Sequence, residues 1–531
     1  MDESIQRFQE ICSRAVEVSH ATLRTLLDEN SATEYGKEYG FEEMRDIREY
    51  RRLPLTAYAD FAEHIARMKQ GEKNVLTAYD VKYFLLTSGS SGVQKSVPLT
   101  ARALEQGWDR VYEASLAQKE GMEREKHLHT SVFRIDEGER ETLLSCAYFS
   151  RFREKDKKHC EKYVGGERLL FTKGIGDVCY VKLWLALAEP DLYSIQSIFL
   201  YDLLLLMQYF RENWERLLRD MDARHIPEDV PLSAEVRESL LAVQPEKERL
   251  AEIRRECGKG FAGICRRLWK RLNFVSGIGG NTFEAQEQLT RWFLGGVPIH
   301  YFTYTSTEAL VGIAIEMENT GYVCMPDSGF LEFLPYGEDT EETKWIEDVE
   351  AGKWYELVVT NFSGLYRYRL EDVVEVIGFY GQSPVIRYLF RKNLAVNIAG
   401  EKTNQMMIAG VVAEAAEQWQ AGLEDYSVCV DRDVLPCRYC FFLEGEMELL
   451  TEEERDAFLD RALRKQNPDY DDLRSLGEIG MPVCYIVREG AHGEWKAMQK
   501  KKGHSKPMPL TAAEGYAAFM KERIKPYGTR G

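Results

Sequence analysis

Apolar residues near the start of the chain recur at helical spacing: Ile5, Phe8, Ile11, Cys12, Ala15 and Val18 fall on one face. The run Asn30-Ser31-Ala32-Thr33-Glu34-Tyr35-Gly36 breaks that pattern. Leu53-Pro54-Leu55-Thr56 then introduces another helix, with Thr56 as its expected N-cap. Tyr83-Phe84-Leu85-Leu86 and Ser96-Val97-Pro98-Leu99 read as two strands around a tight loop, after which Thr100 is placed to cap a helix reaching about Gly121. Residues 128–150 predict strand segments around a polar turn at Asp136-Glu137-Gly138. Residues 176–270 predict mostly helix, broken near Pro190, Pro227, Pro231 and Pro245, with Ile198 to Phe210 as a buried helix.

From Leu272 the pattern shifts to short strands and glycine turns. Leu272-Asn273-Phe274-Val275-Ser276, a helix from Thr282 to Phe293 and Pro298-Ile299-His300-Tyr301-Phe302 form a strand–helix–strand series, the order of a parallel crossover unit. Ligands of open α/β sheets sit at the carboxyl ends of such strands. Residues 310–390 are strand-rich and predict a mixed sheet or small barrel, with Glu356-Leu357-Val358-Val359-Thr360 and Val373-Val374-Glu375-Val376-Ile377 the clearest strands. Past Asn393 the order becomes strand, helix (404–419), strands (426–431 and 438–443), helix (452–465) and a last strand, Val483 to Val487. The expected fold class is α/β. A large N-terminal domain of α/β sheets with a small β-barrel-like subdomain spans residues 1–393, and a small α+β domain spans 394–531.

A chain of 531 residues is long enough for several cores, and its 44% apolar and 29% charged residues are ordinary for a globular protein. A formal net charge of -18 argues against a broad nucleic-acid surface, where phosphate repulsion would dominate. No basic-then-apolar leader opens the sequence, and no apolar run is long enough to span a bilayer, so a cytoplasmic location is expected. Eleven cysteines without repeated spacing predict reduced thiols. Cys437-Arg438-Tyr439-Cys440 falls on a strand, where positions three apart point to opposite faces, and lacks the further ligands a zinc site needs.

The loop between the first two strands is Thr87-Ser88-Gly89-Ser90-Ser91-Gly92-Val93-Gln94-Lys95. Glycine lets backbone approach an anion, hydroxyls and N–H groups donate to phosphate oxygens, and Lys95 adds positive charge. It is not the nucleotide loop with Gly-Lys-Ser/Thr, because Lys95 does not follow Gly92 directly and a Pro-containing strand, not a helix, comes next. Tyr304-Thr305-Ser306-Thr307-Glu308 follows the second crossover strand. A carboxylate there can hold Mg2+ on a triphosphate, although a Thr/Ser turn ending in Glu is also a common helix start. In Gly364-Leu365-Tyr366-Arg367-Tyr368-Arg369-Leu370-Glu371-Asp372-Val373, an aspartate at a strand end beside arginines suits a ribose diol; the plainer reading is a surface Arg/Asp pair. Arg391-Lys392-Asn393 and Gly400-Glu401-Lys402-Thr403-Asn404 mark the start of the small domain.

Together these stretches resemble the adenylate-forming superfamily of acyl- and aryl-CoA ligases, luciferases and peptide-synthetase adenylation domains. Thr87 to Lys95 is similar to its Thr-Ser-Gly phosphate loop, and Tyr304 to Glu308 to its Tyr-Gly-x-Thr-Glu motif. Within it, the chain more closely resembles the Gretchen Hagen family of acyl acid amido synthetases, which conjugate plant hormones to amino acids, and its bacterial relatives. Thr33-Glu34-Tyr35-Gly36-Lys37, Phe330-Leu331-Glu332-Phe333-Leu334-Pro335, Tyr355 to Thr360, Gly364 to Arg369 and Glu401-Lys402-Thr403-Asn404 carry that likeness over most of the chain. Departures are a phosphate loop one residue shorter than in the plant enzymes, Leu370-Glu371 in place of the usual Val-Gly, and Gln405 where Glu is common.

The resemblance implies the adenylating-enzyme fold and ATP-dependent activation of a small carboxylic acid as an acyl-adenylate, followed by attack of an amine, usually an amino acid. It implies that Ser88, Gly89, Ser90, Ser91, Gly92 and Lys95 cradle the phosphates and that Tyr304, Thr305, Ser306 and Thr307 line the adenylate. Glu308 would bind Mg2+, Asp372 the ribose, and Arg391 would mark the hinge of a mobile lid. Its C-terminal catalytic lysine falls on Lys506, with Lys500, Lys501 and Lys502 as rivals. Transfer of the acyl group to a thiol, and nucleotide binding without catalysis, are the alternative readings.

Overall fold

The computed structural model describes residues 3–87, 95–108, 125–133, 138–155, 160–279, 284–392, 398, 401, 403–447, 450–498, 511 and 515–525. The chain opens with helices α1 (Glu3–Ser13), α2 (Ala15–Asn30) and α3 (Tyr58–Lys69), followed by strands β1 (Val81–Leu86) and β2 (Ser96–Thr100). Next come β3 (Lys126–His129), β4 (Glu141–Thr142), α4 (Leu144–Lys155), α5 (Val178–Ala188), β5 (Leu192–Phe199), α6 (Leu200–Ala223), β6 (Phe274–Ile278), α7 (Glu284–Leu294) and β7 (Ile299–His300). A run of strands follows: β8 (Thr303–Thr305), β9 (Leu310–Ile313), β10 (Tyr322–Cys324), β11 (Phe330–Pro335), β12 (Trp354–Thr360), β13 (Tyr368–Tyr380) and β14 (Ser383–Arg391). The last elements are α8 (Gln405–Gln418), β15 (Gly422–Asp431), β16 (Arg438–Glu446), α9 (Glu452–Gln466), β17 (Val483–Val487), α10 (Ala491–Met498) and α11 (Tyr516–Lys521).

The chain divides into two compact units. The first takes Met1–Ile198, Leu206–Ile278 and Leu294–Tyr388; the second takes Phe199–Leu205, Gly279–Phe293 and Leu389–Gly531. Three sheets lie in the first: a three-stranded β2-β1-β4, a four-stranded β3-β5-β6-β7, and a seven-stranded β11-β12-β13-β14-β10-β9-β8. The crossover expected from the sequence is present, with Val275 opposite Ile299 and Ser276 opposite His300 in parallel register. In the large sheet β8–β9, β9–β10, β10–β14, β11–β12 and β12–β13 all pair antiparallel.

Three local expectations differ. Residues 144–155 form a helix, not strand, because Ala147 packs into one apolar cluster with Phe8 and Leu85 while Phe149 packs into another with Phe133 and Tyr163. Only helical spacing reaches both. A strand, β5, stands inside the stretch read as helical: Leu192, Ser194, Ile195, Ser197 and Phe199 are buried, and the apolar run continues into α6 without a break. Thr56 does not cap α3. The Asp60 carboxylate accepts from Ala57 N–H at 2.7 Å, while Thr56 donates its hydroxyl to the Tyr366 carbonyl at 2.7 Å and bridges to Tyr368. Thr100 does cap, accepting from Ala103 N–H at 3.1 Å; the helical turns run to Trp108, and residues 109–121 of the expected helix lie outside the described residues.

The N-terminal helices hold the region before β13. Thr33 caps a short helix through Gly36 N–H, and the Tyr35 ring stacks on Tyr366 at 4.8 Å between centroids. Gly36 has to be glycine, since a Cβ there would stand 2.1 Å from the Asn30 carbonyl oxygen. The second unit carries a three-stranded sheet, β15-β16-β17, whose two faces separate by strand alternation. Tyr426, Val428, Tyr439 and Phe441 pack with Ile408, Val412, Leu459 and Leu463 of α8 and α9. Cys429, Cys440 and Phe442 pack with Trp495 of α10 and Tyr516 and Met520 of α11.

Candidate active site

The glycine- and hydroxyl-rich loop joins β1 and β2, an antiparallel hairpin in which Leu86 lies opposite Ser96. Its two ends are tied. Thr87 N–H donates to the Lys95 carbonyl at 3.0 Å, and Lys95 N–H donates to Thr87 Oγ1 at 3.0 Å. The Lys95 ammonium stands 5.6 Å from the centroid of the Tyr58 ring, within cation–π range. Ser88, Gly89, Ser90, Ser91 and Gly92 lie outside the described residues, as do Lys500, Lys501, Lys502 and Lys506.

The stretch Tyr304 to Glu308 is a hairpin turn and not a helix start. Tyr304 pairs with Gly312 and Thr305 with Leu310 across β8 and β9. Ser306 shapes the turn: its N–H donates to the Ala309 carbonyl at 2.8 Å, and its Oγ accepts from the N–H groups of Glu308 and Ala309 at 3.2 and 3.1 Å. Such a hydroxyl-closed turn fixes where the Glu308 side chain begins. Glu308 is held from the β12–β13 turn and from β13 as well. Its carbonyl accepts from Asn361 Nδ2 at 2.7 Å, and its Oε1 accepts from the Tyr368 hydroxyl at 3.3 Å.

Asp372 is 3% exposed, and its Oδ2 accepts from the Tyr304 hydroxyl at 2.9 Å. Tyr304 lies in turn between Tyr322 and Tyr388, with centroids at 5.7 and 5.8 Å. The aspartate motif and the hairpin motif therefore meet. The arginines beside Asp372 in sequence serve other partners: Arg367 is buried against Glu332 at 3.0 Å, and Arg369 grips Glu356 through both oxygens at 2.8 and 2.6 Å. Neither of these two pairs is the surface Arg/Asp contact that the sequence allows. Glu371 adopts φ +62. The register of β12 against β13 shifts between Glu356 and Val358, the irregularity that accompanies this turned backbone.

A cavity borders the hairpin motif. It is lined by Pro98 and Leu99, which follow the first loop, by Thr307 and Glu308, and by Asn361 and Ser363. Sequence reading passed over Asn361. Its Oδ1 accepts from Ser363 and Leu365 N–H at 2.9 and 3.0 Å while its amide holds Glu308, so it joins the β12–β13 turn to the hairpin. Ser363 Oγ accepts from Thr100 N–H at 3.3 Å, and Thr100 Oγ1 donates to the Phe362 carbonyl at 2.8 Å. The signal was present in Thr360-Asn361-Phe362-Ser363-Gly364, a turn sequence between two strands. Gly364 must be glycine there, at φ +95 with Leu76 Cβ only 2.7 Å from any added Cβ. Arg391 ends β14 in the second unit.

Comparison with known proteins decides the family. Residues 4–299 match the GH3 family N-terminal domain, 322–391 the GH3 family central domain and 407–507 the GH3 family C-terminal domain. The chain belongs to the GH3 family. Among its relatives, the indole-3-acetic acid-amido synthetase GH3.3 of Arabidopsis thaliana is 25% identical over 476 residues, covering 83% of this chain and 79% of that protein. The 4-substituted benzoates-glutamate ligase GH3.12 of the same plant is 25% identical over 531 residues, covering 95% and 89%. In fold the chain is similar to the AtGH3.15 acyl acid amido synthetase in complex with 2,4-DB, with a TM-score of 0.87 at 20% identity over 98% of this chain and 96% of that one. A 2-hydroxyisobutyryl-CoA ligase in the postadenylation state, at TM-score 0.50 and 10% identity over 98% and 91%, shares the wider architecture. As a GH3 family member the chain is an adenylate-forming ligase of the acyl acid amido synthetase class. No described helix is long and apolar enough to cross a membrane, and no described cluster of three or more His, Cys, Asp or Glu side chains could hold a metal.

Proposed function

We propose that this GH3 protein activates a small carboxylic acid with ATP, releases pyrophosphate, and passes the acyl group of the acyl-adenylate to an amino acid, forming an amide and AMP. The observation that carries this reading is the Tyr304–Asp372 hydrogen bond at 2.9 Å, which joins two separated motifs at a buried carboxylate beside aromatic rings. An aspartate can accept from both hydroxyls of a ribose while the rings offer faces to a base. Ser88, Gly89, Ser90, Ser91, Gly92 and Lys95 take the phosphates. Thr305, Ser306 and Thr307 lie along the adenylate, with the Thr307 and Glu308 side of the cavity facing the segment that leaves the first loop.

Glu308 suits Mg2+, which commonly uses one or two carboxylates with substrate phosphates and water, so the lack of a described multi-ligand cluster does not disfavour it. The ion supplies charge neutralisation on the phosphates. The protein's share is placement: the Ser306-closed turn, Asn361 and Tyr368 hold the Glu308 carboxylate in one position. We assign Lys506 to the tail lysine that stabilises the charge shifting onto the α-phosphate, Arg391 to the hinge of the lid formed by 394–531, and the cytoplasm as the location.

Product analysis tests the acceptor. With ATP, Mg2+ and an activating acid, amino acids are expected to yield an amide and AMP. A thioester formed with CoA, and no amide with any amino acid, overturns the assignment.

A further inference from the structure

The cysteine pair read from the sequence, Cys437 and Cys440, is not the pair the fold assembles. Cys440 lies directly opposite Cys429 in the antiparallel register of β15 and β16, and both side chains enter the same apolar cluster under α10 and α11. Cys437 precedes β16 and is half-buried, its carbonyl engaged by Gly480 N–H at 2.8 Å. Directly opposed residues of an antiparallel ladder have Cα atoms about 4.5–5.5 Å apart. That separation lies inside the roughly 4.4–6.8 Å range over which disulfides form. Sharing a face, the two thiols need no strand movement to meet.

We propose that Cys429 and Cys440, both thiols in this structure, are a reversible disulfide site in the second unit, exchanging with low-molecular-weight disulfides. The surroundings assign the roles. The Cys440 thiol hydrogen bond and the Lys521 ammonium hold the Cys429 thiol below its ordinary range against burial, whereas its neighbour and burial push Cys440 upward. Cys440 also points its Sγ at Asp431 Oδ2, 3.7 Å away, and Lys521 approaches the same carboxylate at 3.4 Å. Arg438 stands 3.5 Å from it. Cys429, on the edge strand β15 and 5% exposed where Cys440 on the central strand β16 is fully buried, is the attacking thiol, and Cys440 is the resolving one.

In the first step Cys429 sulfur bonds to one sulfur of the small disulfide, whose S–S bond breaks and releases one thiolate. In the second, Cys440 gives up its proton and attacks the Cys429 sulfur, breaking the mixed disulfide and releasing the second small thiolate. Two electrons pass from the cysteine pair to the reagent, and the two thiol protons end on its two halves. Cys429 is 5% exposed and is reached by opening of α11, a six-residue helix that lies over it. A short peripheral helix opens locally far more readily than a sheet.

The test incubates the folded full chain with oxidised glutathione, alkylates the remaining thiols and maps the peptides. The expected result is a Cys429–Cys440 cross-link, with loss of two alkylatable thiols, that dithiothreitol reverses. In Cys440→Ser, Cys429 is expected to retain glutathione as a trapped mixed disulfide. Both thiols remaining alkylatable after half-buried Cys146, Cys179 and Cys437 have reacted would overturn the proposal. So would a cross-link between Cys437 and Cys440, one that forms only in denaturant, or a Cys440→Ser chain that takes up no glutathione.

Discussion

The phenol of Tyr304 donates a hydrogen bond to Oδ2 of Asp372 across 2.9 Å, and both side chains are buried. Tyr304 comes from the hairpin that also carries Glu308, and Asp372 from the strand that also carries Tyr368, which bonds Glu308. Two hydrogen bonds thus lock the β8–β9 hairpin to β13, one at the nucleoside end of the proposed site and one at its metal end. Asp372→Ala is expected to weaken ATP binding by about 1.5–3 kcal/mol, the scale of a lost hydrogen bond to a charged group. Tyr304→Phe should cost less, because the carboxylate remains. Calorimetric titration with ATP checks both, and unchanged affinity in Asp372→Ala contradicts the ribose assignment.

Glu308→Gln keeps the shape of the turn and removes its charge. Ser306, Asn361 and Tyr368 can still bond the backbone or the amide oxygen, so unfolding behaviour should be close to that of the parent chain. Mg2+-dependent turnover is expected to be lost. Parental rates across a Mg2+ titration contradict the metal role.

Glu371 is a non-glycine residue at φ +62, a left-handed conformation that costs a side-chain-bearing residue roughly 1–2 kcal/mol. Glu371→Gly removes that strain but adds freedom to the unfolded chain, for a net stabilisation of about 0.5–1 kcal/mol. Glu371→Ala keeps the strain and should not stabilise. Urea unfolding of the three proteins separates the cases, and an equal gain from alanine rules out backbone strain as the cause.

Lys182 sits on α5 among Val181, Leu183, Trp184 and Leu185, is 2% exposed, and has no carboxylate partner among the described residues. Burial pulls its pKa down to about 7. Between about pH 7 and the ordinary lysine value near 10.4, the unfolded chain binds the proton and the folded chain does not, so stability rises with pH through that window. Below it the folded state carries the full cost, on the order of several kcal/mol at 1.36 kcal/mol per unit. Lys182→Met should raise stability at neutral pH and flatten the slope. Denaturation midpoints from pH 6 to pH 10 in both proteins provide the check, and a parent chain with no rise refutes it.

Much of the fold is legible in the pattern of apolar and turn residues. The short strands of the large sheet and the elements of the small sheet announce themselves because apolar positions alternate between glycine turns, and the parallel β6–β7 pair follows from its intervening helix. β5 was hidden because its apolar residues run straight into α6, leaving no polar break to mark the change of period. α4 was misread because its apolar residues serve two clusters, which blurs a single helical face. The hairpin motif and Asp372 were legible as types in a spacing, but their meeting through a tyrosine hydroxyl depends on pairing between distant strands. Asn361 escaped notice because its two-sided role exists only once β12, β13 and the hairpin are in place. Arg367 and Arg369 looked like companions of Asp372, yet strand pairing turns them toward Glu332 and Glu356.

Exchange of labelled pyrophosphate into ATP, measured across a panel of carboxylic acids, addresses adenylation itself without knowledge of the acceptor. Exchange is expected with at least one acid, only with Mg2+ present, and strongly reduced in Asp372→Ala. A protein that binds ATP yet exchanges pyrophosphate with none of the acids would contradict the account.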